Sequence, residues 1–285
     1  MARRIVPDRF LDAGEEPDQA LTPIEGYEKL PLVSLIDAIQ PIKSLLHNAD
    51  SMTETARRNS RKPADNLTPD ESAAIHLYTM QWPEPYPSLY SILNQKLRSK
   101  HRETLIPWFL FLKLFFTGLY KLPSFNGTIW RGVLGNLTGQ YDEDHIWWGA
   151  SSCTETMPIM ETFIGSNGVR TLFTIECTNG KVIKAHSYFK EENEILLMPG
   201  SYFQVVGKWK PATDLYMIHL REKTPPYQTI VRPFDAPAPS IRIQSPEKHT
   251  NSAETQEISS HNTASTKYQG NFVVFSFIFQ NPLMR

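Results

Sequence analysis

The chain has 285 residues, against a soft expectation of about 100–200 per domain, so it holds one or two domains with a sizeable core. Lys and Arg total 29 and Asp and Glu 30, a net charge of −1, which excludes the broad basic field that draws in nucleic acid or an anionic membrane. Two cysteines, Cys153 and Cys177, exclude a disulfide scaffold and are too few for a zinc site without histidine or carboxylate ligands.

Residues 1–30 mix charge, Pro and Gly without periodicity and are expected to form a loose arm. Arg3, Arg4 and Arg9 are followed by no apolar stretch, so no secretory signal is read and an intracellular protein is expected; the Asn-x-Thr triplets at Asn66, Asn126 and Asn136 would matter only after secretion. Ser34–His47 places Leu35, Ile36, Ile39, Ile42, Leu45 and Leu46 on one broad face and predicts a helix kinked at Pro41. Asp50–Asn66, with Arg57, Arg58, Arg61 and Lys62, reads as a basic linker that completes a segment over 31–66. Thr68, Pro69, Asp70 and Glu71 form a capping box, predicting a helix from Pro69 to about Trp82. Pro83, Pro85 and Pro87 interrupt before a second helix, Ser88–Arg98. The apolar run Leu105–Tyr120 is shorter than the ~20 residues of a bilayer span and carries Lys113, so a buried helix from Pro107 is expected, with no membrane span.

From Ser124 the texture becomes β-branched and aromatic. Strands are expected at Thr128–Val133, Arg170–Cys177, Glu194–Met198, Tyr202–Val206 and Leu215–Leu220, with a turn at Thr178–Lys181 and a helix Thr154–Ile164 capped by Thr154. Helices followed by strands argue for α+β. Residues 226–285 are rich in Pro, Ser, Thr, Asn and Gln and are expected to form a largely disordered tail, whose apolar stretch Asn271–Met284 either docks as a strand or is aggregation-prone.

Phosphate-loop, nucleophile-elbow, zincin and CxxC patterns are absent, and Gly132, Gly135 and Gly139 lack dinucleotide-fold spacing. Three features remain. In Ile129-Trp130-Arg131-Gly132 an arginine on an apolar strand either makes a structural pair or serves phosphate and amide recognition. In Trp147–Thr154 hydroxyls follow an aromatic strand, as N-caps or as ligand contacts. In Phe189–Leu197, an acidic loop leads into a strand, and Glu192 and Glu194 share one face if the segment is extended.

In this order, the three resemble the eukaryotic arginine-specific mono-ADP-ribosyltransferases, with their Arg, Ser and Glu-x-Glu triad, over roughly Leu67–Arg221. The resemblance implies an ADP-ribosyltransferase fold, a helical subdomain packed on a mostly antiparallel, strand-rich catalytic core, with a catalytic domain over 67–225. It implies NAD+ as co-substrate, an arginine-bearing protein as acceptor, and no metal or nucleic acid. Arg131 would contact the NAD+ phosphates and the Gly132 backbone the nicotinamide carboxamide, with Phe163 stacked on nicotinamide. Ser152 would touch the nicotinamide ribose and the catalytic glutamate, Glu194; Glu192 would select arginine, and Phe189 would be the aromatic of the acceptor loop. Ser152-Cys153-Thr154 stand where the family commonly reads Ser-Thr-Ser.

The residue types suit that chemistry. Cleaving the nicotinamide–ribose bond develops an oxocarbenium-like cation that a carboxylate stabilises, and a guanidinium with a pKa above about 12 needs a second carboxylate to orient it and take its proton. The alternatives are an NAD+ glycohydrolase, in which water replaces the acceptor, and an inactive binding module of the same fold.

Overall fold

Ser34 starts the first helix by accepting the Asp37 N–H at 3.2 Å. A computed structural model describes residues 19–156 and 168–234, together with Arg9, Glu16 and Pro17. Helix α1 (Leu35–Ile39) is short because Pro41 has no N–H for the α-helical ladder, and the chain tightens into a 3-10 stretch over Gln40–Leu45 instead of a kinked helix. Helix α2 (Ala49–Asn59) occupies the segment expected as a basic linker. Its inward face is Ala49, Thr53 and Ala56, a period of four and three built from small side chains, with the charged residues outside.

The capping box forms at the start of α3 (Pro69–Thr79): Thr68 Oγ1 accepts the Glu71 N–H at 3.2 Å, and the Glu71 carboxylate accepts the Thr68 N–H at 2.9 Å. The helix ends at Thr79, short of Trp82, which is buried outside any helix or strand. Helix α4 (Leu89–Leu97) follows, then a 3-10 stretch Arg102–Trp108 and α5 (Phe109–Lys121). The run Arg102–Lys121 is apolar and long enough to cross a membrane, yet Phe111, Leu112, Leu114, Phe115, Phe116 and Leu119 fill the core of the helical layer. Lys121 Nζ reaches both oxygens of the fully buried Glu71 carboxylate at 2.6 and 2.8 Å, fastening α5 to α3.

Among the described residues seven strands make one sheet: β1 (Ser124–Leu134), β2 (His145–Trp147), β3 (Ser151–Thr154), β4 (Arg170–Val182), β5 (Glu194–Leu197), β6 (Ser201–Ala212) and β7 (Leu215–Lys223). Their order is β1-β3-β5-β4-β7-β6-β2, with β1 also paired to β4, and every pairing is antiparallel except β4 with β7. Alternation along β5 sends Ile195 and Leu197 into the sheet's own core and Leu196 into the helical core. Asn94 on α4 joins the layers: its side chain donates to the Ala150 carbonyl and accepts the Ala150 N–H, both at 3.0 Å.

Three further expectations change. Thr154 ends strand β3 instead of capping a helix; the remainder of the expected helix, from residue 157, lies outside the described residues, as do Asn271–Met284 and the tail from 235. Thr178–Lys181 is no turn, because β4 continues through it opposite Ser124 and Phe125 of β1. Segments 19–30 and 227–234, expected in a loose arm and a tail, pair with each other: Ile24 N–H donates to Thr229 O at 2.8 Å and Val231 N–H to Ile24 O at 3.0 Å, with Leu21, Ile24 and Tyr27 buried. Paired backbone and buried apolar groups hold what composition alone leaves loose.

Gly180 permits β4 to lie against β5. A Cβ there would stand 2.6 Å from Ile195 Cγ2 and 2.9 Å from Cys177 Sγ. Gly180→Ala is expected to cost about 1–3 kcal/mol through overpacking, read as a lower urea midpoint at unchanged slope.

Candidate functional site

The register of β3 on β5 pairs Ser152 with Leu196 and Thr154 with Glu194, so Ser152, Thr154 and Glu194 project from one face. Arg131 lies on β1 between Ile129 and Val133 of the sheet core, on the opposite alternation, and is itself buried. Arg131 Nη1 donates to the Ser152 carbonyl at 2.7 Å and to the Arg9 carbonyl at 3.2 Å. The Ser152 hydroxyl is buried and has no hydrogen-bond partner among the described residues. Gly132 follows Arg131 on β1, opposite Leu172 of β4. Phe163 lies outside the described residues.

Glu192 and Glu194 converge, but not along an extended segment. Lys190–Glu192 is a single 3-10 turn, Asn193 takes the left-handed conformation at φ 46°, and Glu194 opens β5. An asparagine suits that conformation. Thr154 Oγ1 donates to the Glu192 carbonyl at 3.1 Å, and Ser187 Oγ donates to Glu194 Oε2 at 3.0 Å while accepting the Phe189 N–H at 3.2 Å.

Between the carboxylates lies the guanidinium of Arg9, only 1% exposed. Its Nε and Nη2 donate to Glu194 Oε1 and Oε2, each at 3.0 Å, and Nη2 also pairs with Glu192 Oε2. The Phe189 ring lies 4.9 Å from the guanidinium carbon. Burial works against the Arg9 charge, but the attraction and hydrogen bonding of Glu194, with Glu192 behind them, leave its pKa above the ordinary arginine value.

The structure thus brings Phe189, Glu192 and Glu194 together on the Arg9 side chain, with Arg131 joined to them through the Arg9 carbonyl and to Ser152 through the Ser152 carbonyl. Sequence reasoning missed Arg9, Thr154 and Ser187 in this cluster. Thr154 could have been sought by strand alternation from Ser152, whereas Ser187 lies in the loop between β4 and β5 and Arg9 carries no local signal. Cys153 and Cys177 are both free and buried, and burial pushes each thiol up, Cys177 to about 12. Among the described residues, no three His, Cys, Asp or Glu side chains group as a metal site would.

Two histidines brace the loop behind the cluster. His186 Nδ1 bonds with Ser72 Oγ at 2.9 Å and Nε2 with Asp65 Oδ2 at 3.1 Å, while His76 Nδ1 donates to the His186 carbonyl at 3.0 Å. Desolvation lowers both pKa values below the ordinary 6.5, against opposing hydrogen bonds. The unfolded chain therefore takes up these protons at higher pH than the folded one, so their contribution to stability is full above about pH 6.5 and falls as acid is added below it. The melting temperature is expected to drop between about pH 7.5 and pH 5.5, and less steeply in His76→Gln/His186→Gln.

The sequence profile of the family described as NAD:arginine ADP-ribosyltransferase matches residues 29–225. Solved structures similar to this chain include the eukaryotic mono-ADP-ribosyltransferase ART2.2, at 16% identity and TM-score 0.48 over 68% of this chain and 85% of that one. The ADP-ribosyltransferase HopU1 of Pseudomonas syringae pv. tomato DC3000 is similar at 19% identity and TM-score 0.46, covering 68% and 90%. Vis, an ADP-ribosyltransferase from Vibrio splendidus solved in complex with agmatine, is similar at 19% and 0.45, covering 70% and 90%. No curated protein matches. With more than half of its length matched by that profile, and the helical layer and strand-rich sheet of the ADP-ribosyltransferase fold, the chain belongs to the NAD:arginine ADP-ribosyltransferase family, whose substrate is NAD+.

Proposed function

We propose that this chain transfers ADP-ribose from NAD+ to an arginine side chain, releasing nicotinamide, with Glu194 stabilising the transition state and Glu192 holding the acceptor. The observation that carries this reading is the guanidinium seated on Glu192 and Glu194 with the Phe189 ring beside it. A pocket that buries one guanidinium on two carboxylates has the charge, the planar donor match and the aromatic wall that an acceptor arginine needs. Cleaving NAD+ places positive charge at the ribose, and Glu194, held by Ser187, is the carboxylate prepared to meet it. The buried Ser152 hydroxyl, without a partner among the described residues, fits a sugar hydroxyl beside it. Arg131 and Gly132 are assigned to the phosphates and carboxamide, and Phe163 to the nicotinamide face.

The test supplies NAD+ and agmatine to the purified chain and measures free nicotinamide and ADP-ribosyl-agmatine together. Both products in equal amounts are expected. Nicotinamide without adduct would instead identify a glycohydrolase.

A further inference from the structure

We infer that Arg9 is an internal acceptor: the chain ADP-ribosylates its own Arg9, in cis. This inference rests on the proposed arginine transfer and adds its first substrate. Glu192 and Phe189, the two side chains assigned to the acceptor, both contact Arg9, and Glu194 holds the same guanidinium through two nitrogens. Arg9 is separated from these carboxylates by 183 and 185 residues of sequence, so no local constraint of the chain puts it there. Its backbone carbonyl is held too, by Arg131 Nη1. A purely structural ion pair requires one carboxylate; a guanidinium shared by both members of the Glu-x-Glu pair and walled by an aromatic is in the position of a substrate.

When NAD+ enters, Glu194 must turn from Arg9 to the ribose, leaving Glu192 and Phe189 to hold the guanidinium. Arg9 Nη2 then forms a bond to the anomeric carbon of the nicotinamide ribose as the bond from that carbon to nicotinamide breaks. Nicotinamide leaves with the electron pair and loses its pyridinium charge. The proton displaced from Nη2 passes to Glu192 and on to solvent. Nothing besides NAD+ is consumed.

Because the acceptor is tethered in place, modification should be first order in protein. Arg9 also competes with any added acceptor, whose apparent affinity is reduced by the fraction of time the slot is open.

The experiment incubates the full chain with NAD+ alone and maps the ADP-ribose adduct by fragmentation mass spectrometry that preserves it. The time course is repeated over about a tenfold range of protein concentration. Expected are an adduct at Arg9, a rate constant independent of protein concentration, and loss of that adduct in Arg9→Lys, which keeps a cation between the two carboxylates if Arg9→Ala fails to fold. Arg9→Ala, where it folds, leaves the slot empty and is expected to lower the KM for agmatine by roughly tenfold if the slot is open about a tenth of the time. Agmatine transfer with no adduct at Arg9 would overturn the inference and leave the proposed function standing. An Arg9 adduct whose apparent first-order rate constant rises in proportion to protein concentration would overturn the internal route. No nicotinamide release from either folded protein would overturn the proposed function and this inference with it.

Discussion

Glu194→Gln is expected to slow nicotinamide release from NAD+ at least about a thousandfold, equivalent to about 4 kcal/mol of transition-state stabilisation. The substitution keeps the shape and the Ser187 hydrogen bond and removes only the charge. Glu194 is fully buried, accepts Ser187 Oγ at 3.0 Å, and opens β5, where Ile195 and Leu197 anchor the backbone in the sheet core. Once turned from Arg9 to the ribose, a carboxylate anchored in this way meets the developing cation directly, and an amide dipole in the same place does not replace the charge. Both agmatine transfer and release to water should fall together, since both pass through cleavage of the same bond. Removing one charge from the buried trio with Arg9 and Glu192 also affects folding, so the melting temperature and NAD+ affinity are measured on the same preparation. Retained nicotinamide release by folded Glu194→Gln would remove Glu194 from its assigned role.

Much of the helical layer was legible because its signals are local. The Thr68–Glu71 box uses four adjacent residues, and the apolar run ending in α5 declares itself by composition. Helix α2 was not legible because its buried face is only Ala49, Thr53 and Ala56, small side chains with no large apolar anchor among polar neighbours, and Arg57 and Arg58 follow at its end. The apparent turn at Thr178–Lys181 failed for a tertiary reason: Thr178 and Asn179 N–H groups both donate to Glu222 Oε2, at 2.6 and 2.9 Å, and β1 pairs alongside, so the strand continues through residues that favour a reversal in isolation. In the candidate site, the Arg, Ser and Glu-x-Glu pattern led to residues that lie together. The extended path expected between Glu192 and Glu194 does not exist, because the left-handed Asn193 brings the carboxylates together by a different route. Arg9 was beyond reach, since its partners lie almost two hundred positions away.

Glu192→Gln is expected to separate the two halves of the reaction. Transfer to agmatine should fall by about a hundredfold to a thousandfold, the range for loss of a positioned proton acceptor, while nicotinamide release into water falls far less. The guanidinium is a poor nucleophile while protonated, and in this site only a carboxylate beside the attacking nitrogen can both orient it and accept its proton. Glu192 is 3% exposed, its carbonyl is pinned by Thr154 Oγ1, and its carboxylate meets Arg9 Nη2, the nitrogen that also contacts Glu194. Glutamine can still accept one hydrogen bond from that nitrogen but takes no proton at neutral pH. Water needs no such partner to the same degree, so hydrolysis depends chiefly on Glu194. The ratio of ADP-ribosyl-agmatine to free nicotinamide, measured at saturating NAD+, is the readout, because a general loss of fold lowers both products and leaves their ratio unchanged. An unaltered ratio in folded Glu192→Gln would mean that the acceptor proton goes elsewhere, and Glu194 would then have to serve both the ribose and the guanidinium.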